Sequence, residues 1–429
     1  MNDLVKTLDV MLEPDAMRTV VRPFAPGDPA GFVDAKNPRA QRIVDRIMAL
    51  SDDELQQEME RVTASLDERH RDVQSRLLRR FEELDGLVRD VADAPEPRKV
   101  LIGAYFSEEF AFESAALFNP SVVRHPDQSG LSGGDVRIVM SLRGIGEGHV
   151  SSLTFRTGVW RADDTAELDP VSRFAVGPDV QRRQGDKGED IVTATCGGAR
   201  EISETVIFPF QPSQGRGIED VRLVEFTEED GTTDIRGTFT AFNGMDVRQA
   251  MLRTPDFNTF EFRGVQGPLY ETKGMALFPR KVGGRYAMLG RQDNENVWVL
   301  TSDDLYTWEG GQRVITPKHP WEFVQLGNCG SPLELDEGWL VLTHGVGVVR
   351  NYAMGACLLD KEDPTKVLAR TPRPILEPDG KARDGYVPNV VYSCGGMLRG
   401  RTLLLPYGVA DNFATLGVVE VDRLLAAMA

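Results

Sequence analysis

The spacing of apolar residues divides the chain into two parts of different character. In residues 1–98, apolar side chains recur at every third or fourth position, which predicts helices with one apolar face. Asn37-Pro38 resembles a helix start, and residues 51–54 (SDDE) have the sequence of a capping box. We therefore predict a short helix after Pro38 and one long amphipathic helix over residues 55–91. The proline-containing segment 94–97 is predicted to end that helix and to mark a domain boundary.

From residue 99 onward the pattern changes to short β-branched runs separated by Gly, Asp and Pro. Two segments of this part resemble each other, residues 254–261 (TPDFNTFE) and residues 302–309 (SDDLYTWE). They share Asp, Thr, aromatic and Glu positions, and Asp256 and Asp304 are 304 − 256 = 48 residues apart. A repeat of this length is typical of the blades of a β-propeller.

A looser unit, in which one strand leads through a turn to a second strand, occurs five times. First strands begin near residues 119, 220, 274, 331 and 388, and second strands lie near 139–144, 238–244, 287–291, 340–345 and 403–408. The pattern predicts a mainly β fold, a five-bladed β-propeller over residues 99–429. An α-helical N-terminal extension over residues 1–98 precedes it.

The ends of these strands carry polar residues. In a propeller the first strands line the central channel, so their ends and the ends of the paired strands converge on one mouth. The residues at these places are Asn119, Arg143, Asp220, Asn243, Lys273, Arg291, His344 and Tyr407. Such a ring predicts a ligand site, although polar strand ends also cap ladders or hold channel water.

Charge and cysteine usage narrow the class of protein. The 429 residues carry a net charge of -17, which argues against nucleic acid or an anionic membrane as a partner because phosphates would be repelled. The four cysteines have no metal-binding spacing, and we interpret them as reduced thiols. This spacing also gives no reason to expect a metal site. No run of 18 apolar residues occurs in the sequence, so we expect a soluble cytoplasmic protein.

Several motifs follow one another along the chain. They are residues 217–222 (GIEDVR), 273–281 (KGMALFPRK), 342–346 (LTHGV), 355–364 (GACLLDKEDP), 374–378 (PILEP) and 389–395 (NVVYSCG). Together, and in this order, they resemble glycoside hydrolase family 130. The resemblance covers roughly residues 115–429. It implies a five-bladed propeller that performs inverting phosphorolysis of β-mannosides, with inorganic phosphate as co-substrate, no other cofactor and α-mannose 1-phosphate as product. A minority of the family hydrolyses β-mannosides instead.

The resemblance also implies roles for individual residues. Asp220 matches the single catalytic acid of the family. The positions that match phosphate ligands are Arg143, Lys273, His344 and Tyr352, with Arg253 as a further one. Asn119 and Asp411 match sugar-contacting positions. From their places at strand ends and in the glycine-rich turn described below, we add Asn243, Arg291 and His149 as substrate-binding residues.

This assignment agrees with the chemistry of the reaction. An inverting hydrolase needs an acid for the leaving oxygen and a second carboxylate to activate water. A phosphorylase needs only the acid, because phosphate arrives as an anion and is oriented by cations.

The sequence departs from the family pattern at three places. Val221 replaces a proline after the catalytic aspartate, about 60 extra residues (159–218) precede the second blade, and the N-terminal helices are not part of the propeller. We predict that the extra residues rebuild a wall of the substrate site.

A glycine-rich segment, residues 143–149 (RGIGEGH), lies in the first blade. Its glycines permit tight turns that bring amides and His149 towards a ligand. We interpret it as an active-site rim, with a plain β-turn as the alternative.

Two other functions stay open. They are an inverting β-mannosidase on the same fold and a non-catalytic sugar-binding propeller. The apolar stripe of the long helix is predicted to lie partly on the propeller and partly on a second subunit, which gives a homo-oligomer.

Overall fold

The computed structural model describes residues 4–186, 188–380 and 385–429. Within these ranges, the strands form five antiparallel units that follow one another along the chain. The first two units belong to one eleven-stranded sheet, in which a parallel pairing between Ser151 and Gly217 joins them. Unit 1 contains Ala116–Arg124, Val136–Ile145, Ser151–Trp160 and Ala166–Leu168. Unit 2 contains Gly217–Thr227, Thr233–Phe242, Val247–Thr254 and Thr259–Gly264. Unit 3 contains Ala276–Leu277, Tyr286–Gly290, Val297–Ser302 and Gln312–Ile315. Unit 4 contains Gln325–Asn328, Leu333–Glu334, Trp339–Val346, Tyr352–Leu359 and Val367–Arg370. Unit 5 contains Val391–Tyr392, Met397–Arg399, Thr402–Val409 and Phe413–Glu420, followed by a short helix, Val421–Ala426.

The predicted mainly β fold is confirmed, and the predicted first and second strands all fall within these units. The repeat also has a structural basis, because both copies form the same turn between the third and fourth strands. In unit 2, Asp256 Oδ1 accepts a hydrogen bond from the Asn258 amide at 2.9 Å. In unit 3, Asp304 Oδ1 accepts one from the Tyr306 amide at 2.8 Å. The aspartate is shared because its carboxylate closes the turn.

Each unit buries one face against the next. Apolar clusters join unit 1 to unit 2, unit 2 to unit 3, unit 3 to unit 4 and unit 4 to unit 5. A further cluster joins unit 5 back to unit 1, where Leu404 and Leu416 pack with Ile138 and Met140. The first unit therefore contacts both the second and the last.

The N-terminal part contains four helices, and the prediction of one long helix is wrong. The helices are α1 (Arg39–Met48), α2 (Asp52–Leu66), α3 (Val73–Glu82) and α4 (Glu96–Tyr105). The capping box is confirmed, because the Ser51 amide donates to Glu54 Oε2 at 2.8 Å and the Glu54 amide donates to Ser51 Oγ at 3.3 Å. The chain leaves the helical path between α2 and α3, where Asp72 has a φ of 53°.

The proline-containing segment begins a helix instead of only ending one. Pro95 is the N-cap of α4 and Pro97 lies in its first turn, where the missing amide hydrogen costs no helical hydrogen bond. The boundary that we predicted at residue 98 therefore falls inside α4.

Residues 1–98 are also not helical throughout, which corrects the sequence prediction. Val5–Leu12 is the outermost strand of unit 5, paired antiparallel with Phe413–Glu420. A second strand, Thr19–Pro23, pairs with Ser107–Ala111. The strand Val5–Leu12 is thus part of the last sheet unit, contrary to our expectation that residues 1–98 lie outside the repeat.

The apolar stripe of the helices packs within this chain. Met59, Val62 and Leu66 of α2 cluster with Leu77 of α3 and Val100 of α4. The stripe therefore does not require a second subunit to cover it, and the homo-oligomer stays a prediction. In the ranges that the structure describes, no helix is both long and apolar enough to cross a membrane.

The extra residues between units 1 and 2 extend the outer edge of unit 2. Asp190–Thr195 pairs with Thr259–Gly264, and Asp179–Gln184 forms the next strand outward. A two-residue strand, Val206–Ile207, returns to pair with Ser151–Trp160 of unit 1.

Buried ion pairs connect these extra residues and the N-terminal segment to unit 1. Glu113, fully buried, accepts hydrogen bonds from Arg18 at 2.7 Å and from Arg156 at 2.8 Å. Arg18 also donates to the carbonyl of Ser172, and Arg71 of the α2–α3 connection donates to buried Glu204 at 2.7 Å.

Candidate active site

A pocket of about 380 Å³ lies where the five units meet. Every unit or the loop beside it contributes lining side chains. The residues that line the pocket are Asn119, Arg143, Asp220, Arg222, Thr240, Lys273, Gly274, Arg291, Asn294, Gln325, His344, Arg350, Tyr352, Val387, Val390, Tyr392 and Asp411. Eight of these residues belong to the set of site residues predicted from the sequence. Six of the eight predicted strand-end residues are among them, so most of the predicted strand ends converge.

The backbone turns Asn119 and Asp220 into the pocket by the same device. Each sits in the first strand of its unit at an irregularity, between Phe118 and Ser121 in unit 1 and between Glu219 and Arg222 in unit 2. Asn119 has a φ of 50° and Asp220 a φ of 54°. Left-handed backbone is unfavourable for residues other than glycine, and strain of this kind concentrates at functional sites.

Asp220 accepts hydrogen bonds from two neighbouring units. Its Oδ1 atom accepts from Asn119 Nδ2 at 2.8 Å and from Arg143 Nη1 at 3.3 Å. Burial alone would raise the pKa of this carboxyl group. The charges of Arg143 and Arg222, together with the Asn119 hydrogen bond and Lys273, outweigh burial and lower the pKa of Asp220 below its ordinary value. Asp220 is therefore ionised at neutral pH.

The guanidinium of Arg143 is held on three sides. Nε donates to Ser151 Oγ at 2.9 Å, and Nη2 donates to Glu219 at 2.7 Å, beside the Nη1 bond to Asp220. The guanidinium also lies 5.3 Å from the ring centre of Phe118. These contacts fix the guanidinium plane beside the acid.

His344 and Arg291 form the opposite side of the pocket. His344 Nδ1 lies 3.2 Å from the carbonyl oxygen of Asn328, and because a carbonyl can only accept, Nδ1 carries the ring proton. Burial, followed by the charges of Arg291 and Arg222, lowers the pKa of His344 well below its ordinary value, so the ring is neutral. Nε2 is then an acceptor for Arg291 Nη1 at 3.4 Å. His344 thus orients Arg291 in this arrangement.

Two further contacts fix this side of the site. The carboxamide of Gln325, with its oxygen turned towards the guanidinium, accepts from Arg291 Nε at 3.2 Å. The ring of Tyr352 stacks on that of His344 with centres 6.1 Å apart and an angle of 15°. The guanidinium of Arg350 lies 6.0 Å from the ring centre of Tyr352.

The lining is rich in positive charge. Arg143, Arg222, Lys273, Arg291 and Arg350 are five cations, and Asp220 and Asp411 are two carboxylates, so the lining has a formal charge of 5 − 2 = +3 when both acids are ionised. The chain as a whole carries -17. In the described part of the chain, Lys273 and Arg291 make no ion pair. A concave site with surplus cations attracts an anion.

Asp411 is the second carboxyl group of the pocket. It follows the third strand of unit 5 in left-handed backbone, with a φ of 48°. Burial and then repulsion from Asp220 raise its pKa to about 6, against the opposing charges of Arg143 and Arg350. The pKa values of the two carboxyl groups are thus shifted in opposite directions, down for Asp220 and up for Asp411.

Three predicted site residues lie outside the lining, as does Tyr407. Arg253 is exposed on the third strand of unit 2 and is ion-paired with Asp234. Asn243 closes a turn, where its Oδ1 accepts from the amides of Met245 and Asp246. Tyr407 donates or accepts a hydrogen bond with Thr7 at 3.0 Å.

His149 is the third of these residues and has a position at the mouth. It is exposed on the short turn Glu147–His149, and its ring centre is 4.8 Å from that of Tyr386. Tyr386 precedes Val387, which lines the pocket. No described residue of the segment 159–218 lines the pocket, which corrects our prediction that this segment rebuilds a wall of the site.

Sequence reasoning missed Arg222, Gln325, Arg350 and Tyr392 as pocket residues. Arg222 and Tyr392 had a usable signal, because both belong to first strands whose ends were already selected. Arg350 had none, since it reaches the pocket from a turn, Val348–Arg350, in which Val349 and Arg350 have φ values of 56° and 51°.

Comparison with known proteins identifies the family. Residues 198–429 match the family model described as beta-1,4-mannooligosaccharide phosphorylase, glycoside hydrolase family 130. The chain belongs to glycoside hydrolase family 130. The match includes units 2 to 5, with Asp220, Lys273 and His344. Unit 1, with Asn119 and Arg143, precedes the matched residues.

Individual members of family 130 give the same result. The chain is 36% identical to a 1,2-beta-oligomannan phosphorylase of Thermoanaerobacter sp. (strain X514), over 49% of this chain and 70% of the relative. It is 37% identical to a beta-1,2-mannobiose phosphorylase of Listeria innocua, over 48% of this chain and 58% of the relative. A solved glycosyl hydrolase structure from Bacteroides ovatus has the same fold, with a TM-score of 0.51, 20% identity and coverage of 74% of this chain and 87% of that one.

Proposed function

We propose that the protein is an inverting β-mannoside phosphorylase that transfers a mannosyl group to inorganic phosphate. The observation that carries this proposal is the pocket, where five cations face two carboxyl groups, and one of these, Asp220, is held by Asn119 and Arg143. Membership of family 130 supports the same reaction, since the relatives named above are phosphorylases of mannosides.

We also propose that the five sheet units are the blades of a five-bladed β-propeller. The support is that successive units pack face to face and that unit 5 packs against unit 1. Val5–Leu12 then completes the last blade from the N-terminal end of the chain. The pocket lies at one mouth of the central channel, where first strands of the blades end.

In the proposed reaction, phosphate binds among Arg143, Lys273 and Arg291 and attacks the anomeric carbon in line with the leaving oxygen. The bond from the anomeric carbon to the leaving oxygen breaks, and the proton that the leaving oxygen takes up originates from Asp220. On the phosphate side of the pocket, His344 orients Arg291 by accepting its hydrogen bond, and Tyr352 stacks on the ring of His344.

The cations that line the pocket disfavour protonation of Asp220, and the negative charge of phosphate opposes this effect. Incoming phosphate brings negative charge and competes for Arg143, which now stabilises the Asp220 carboxylate. Both effects raise the pKa of Asp220. Phosphate therefore prepares the acid as well as acting as the nucleophile. Asn119 Oδ1, buried and without a hydrogen-bond partner in the described residues, remains available to a sugar hydroxyl.

Asp411 supports a second candidate function, an inverting β-mannosidase. Hydrolysis needs a second carboxylate about 6.5–9.5 Å from the acid. Asp411 lines the same pocket as Asp220 and is close enough to affect its protonation. A water molecule in place of phosphate would then be activated by Asp411.

The test is a comparison of products with and without phosphate. The purified protein is incubated with β-1,2-mannobiose, β-1,4-mannobiose and β-1,4-mannosyl-glucose, and mannose 1-phosphate and free mannose are measured by NMR. The β-1,2-linked substrate comes first, because both relatives above act on β-1,2 linkages. We expect phosphate-dependent formation of α-mannose 1-phosphate. Free mannose formed at the same rate without phosphate would establish the hydrolase instead.

A further inference from the structure

Arg222 is a buried cation directly behind the acid. It is two residues after Asp220 on the same strand and is only 3% exposed. Within the described residues it forms no ion pair, and its Nε atom has no hydrogen-bond partner. A buried guanidinium is costly unless it is compensated, so its retention at this position calls for a functional reason.

Tyr392 holds Arg222 from the opposite side of the pocket. Arg222 Nη2 donates to the Tyr392 hydroxyl oxygen at 2.8 Å, and Nη1 reaches the carbonyl of Met275 at 3.5 Å. Tyr392 is itself buried, and burial raises the pKa of its hydroxyl, so the side chain stays neutral. The contact is therefore a hydrogen bond from a cation to a neutral phenol.

The same tyrosine touches the phosphate side of the site. Its ring centre lies 4.9 Å from that of His344, at an angle of 58°. His344 in turn accepts from Arg291. A continuous set of contacts therefore runs from the strand of the acid, through Arg222 and Tyr392, to His344 and Arg291.

We propose that Arg222, held in place by Tyr392, is a positioning residue that keeps Asp220 ionised until phosphate binds and that seats His344 beneath Arg291. This inference rests on the proposed phosphorylase function. Unlike Arg143 and Lys273, Arg222 is too enclosed to follow the incoming phosphate. Its positive charge therefore stays near Asp220 when phosphate binds. Asp220 takes up a proton only when the negative charge of phosphate outweighs this positive charge.

Other groups around Asp220 also influence its protonation and have to be constant in a test. The charged and titratable groups that face it are Arg143, Glu219, Lys273, Arg291, His344, Cys329, Cys394 and Asp411. A change at Tyr392 or Arg222 alone leaves the chemical identity of every one of these side chains unchanged.

The first variant is Tyr392→Phe, compared with Tyr407→Phe. Both tyrosines are buried in unit 5 and both lose one hydroxyl hydrogen bond, but Tyr407 binds Thr7 and does not line the pocket. The measurements are Tm, kcat and KM for phosphate, and the pH profile of kcat/KM. We expect Tyr392→Phe to lower kcat about 10-fold and to move the pH profile, whereas Tyr407→Phe lowers Tm only. Equal behaviour of the two variants would show that Tyr392 is merely structural.

The second variant is Arg222→Gln, which removes the charge. The pKa of Asp220 is measured directly by NMR of protein labelled with ¹³C at the aspartate carboxyls, with Asp220→Asn for assignment. Loss of an opposite charge from the immediate surroundings should raise this pKa by about 1 unit or more. An Asp220 pKa that stays unchanged in folded Arg222→Gln, or a Tyr392→Phe profile that stays unchanged if Arg222→Gln fails to fold, would overturn the inference. Failure of the proposed function would appear separately, in the wild-type product assay.

Discussion

Buried arginines occur in two regions of this molecule, and their partners differ. Where the N-terminal segment and the extra residues contact unit 1, each buried carboxylate has arginine partners: Glu113 has Arg18 and Arg156, and Glu204 has Arg71. In the pocket, five cations face two carboxylates. In the first region three arginines share two carboxylates and each carboxylate is paired, whereas in the pocket five cations share two carboxylates. The pocket therefore has the larger surplus of positive charge, which an anion would compensate.

This difference separates the two purposes that a buried charge can serve. Removing one partner from a matched pair leaves an uncompensated charge in the core and should reduce stability. Removing a surplus cation from the pocket relieves repulsion and should reduce activity without that penalty. The following variants test whether the two regions can be separated in this way.

The largest expected effect is on catalysis at Asp220. Asp220→Asn keeps the shape and the Asn119 contact but removes the proton donor, so kcat should fall about 10²–10⁴-fold while the far-UV circular dichroism stays the same. Glu225→Gln, an exposed change on the same strand, is the control and should leave kcat unchanged. Unchanged turnover in Asp220→Asn would remove Asp220 from the mechanism.

The next effect belongs to the matched region. Glu113→Gln leaves Arg18 and Arg156 buried without a counter-charge, and we expect the free energy of unfolding to fall by about 3–5 kcal/mol. Glu108→Gln breaks the partly exposed pair with Arg22 and should cost about 1 kcal/mol or less. Urea unfolding measures both, and kcat per folded molecule should match the wild type. A catalytic defect in Glu113→Gln at full stability would contradict the comparison.

The two regions also differ in how far the sequence predicted them. The strands of the sheet units were predicted because their pattern recurs, so each copy supported the others. The convergence of Asn119, Lys273 and His344 followed from their equivalent places at strand ends. Arg253 was assigned by resemblance alone, and it lies on the third strand of its unit, outside the lining of the pocket.

The N-terminal part lacked such internal support. Helical periodicity continues from α2 into α3, so the apolar pattern could not reveal the break before Val73. The strand Val5–Leu12 finds its partner at the other end of the chain, where Val5 pairs with Val419. A contact at that separation leaves no local signal. In the sequence, nothing distinguishes the buried Glu113 and Glu204 from glutamates that lie on the surface.

A smaller effect is expected for phosphate binding at Lys273. Lys273→Ala removes a pocket cation that has no ion pair in the described part of the chain, so KM for phosphate should rise about 10- to 100-fold, which corresponds to about 1.5–3 kcal/mol for a hydrogen bond to a charged group. Lys281→Ala is the control, because Lys281 is paired with Glu229 outside the pocket. Tm should not fall in either variant by more than a few degrees. An unchanged KM in Lys273→Ala would indicate that phosphate binds elsewhere.

The smallest effect is a pH dependence of stability in the matched region. Glu109 accepts from Arg69 at 2.8 Å and from His70 at 2.7 Å, and the Arg69 hydrogen bond, with His70 and against burial, lowers the pKa of Glu109 to about 2. Since this pKa lies below its ordinary value, the contribution of Glu109 to stability is complete above pH 4.5 and disappears as pH falls towards 2.

Because the pair is partly exposed, Glu109→Gln should cost about 1 kcal/mol at pH 7. Urea unfolding of both proteins between pH 7 and pH 3 should show this difference shrinking below pH 4.5. Burial lowers the pKa of His70 and Glu109 opposes that shift, so stability is also lost below the ordinary His70 pKa of 6.5 in both proteins, and more of it is lost in Glu109→Gln. A wild-type advantage that stays constant down to pH 3 would mean that the Glu109 contacts contribute no charge-dependent stability to this region.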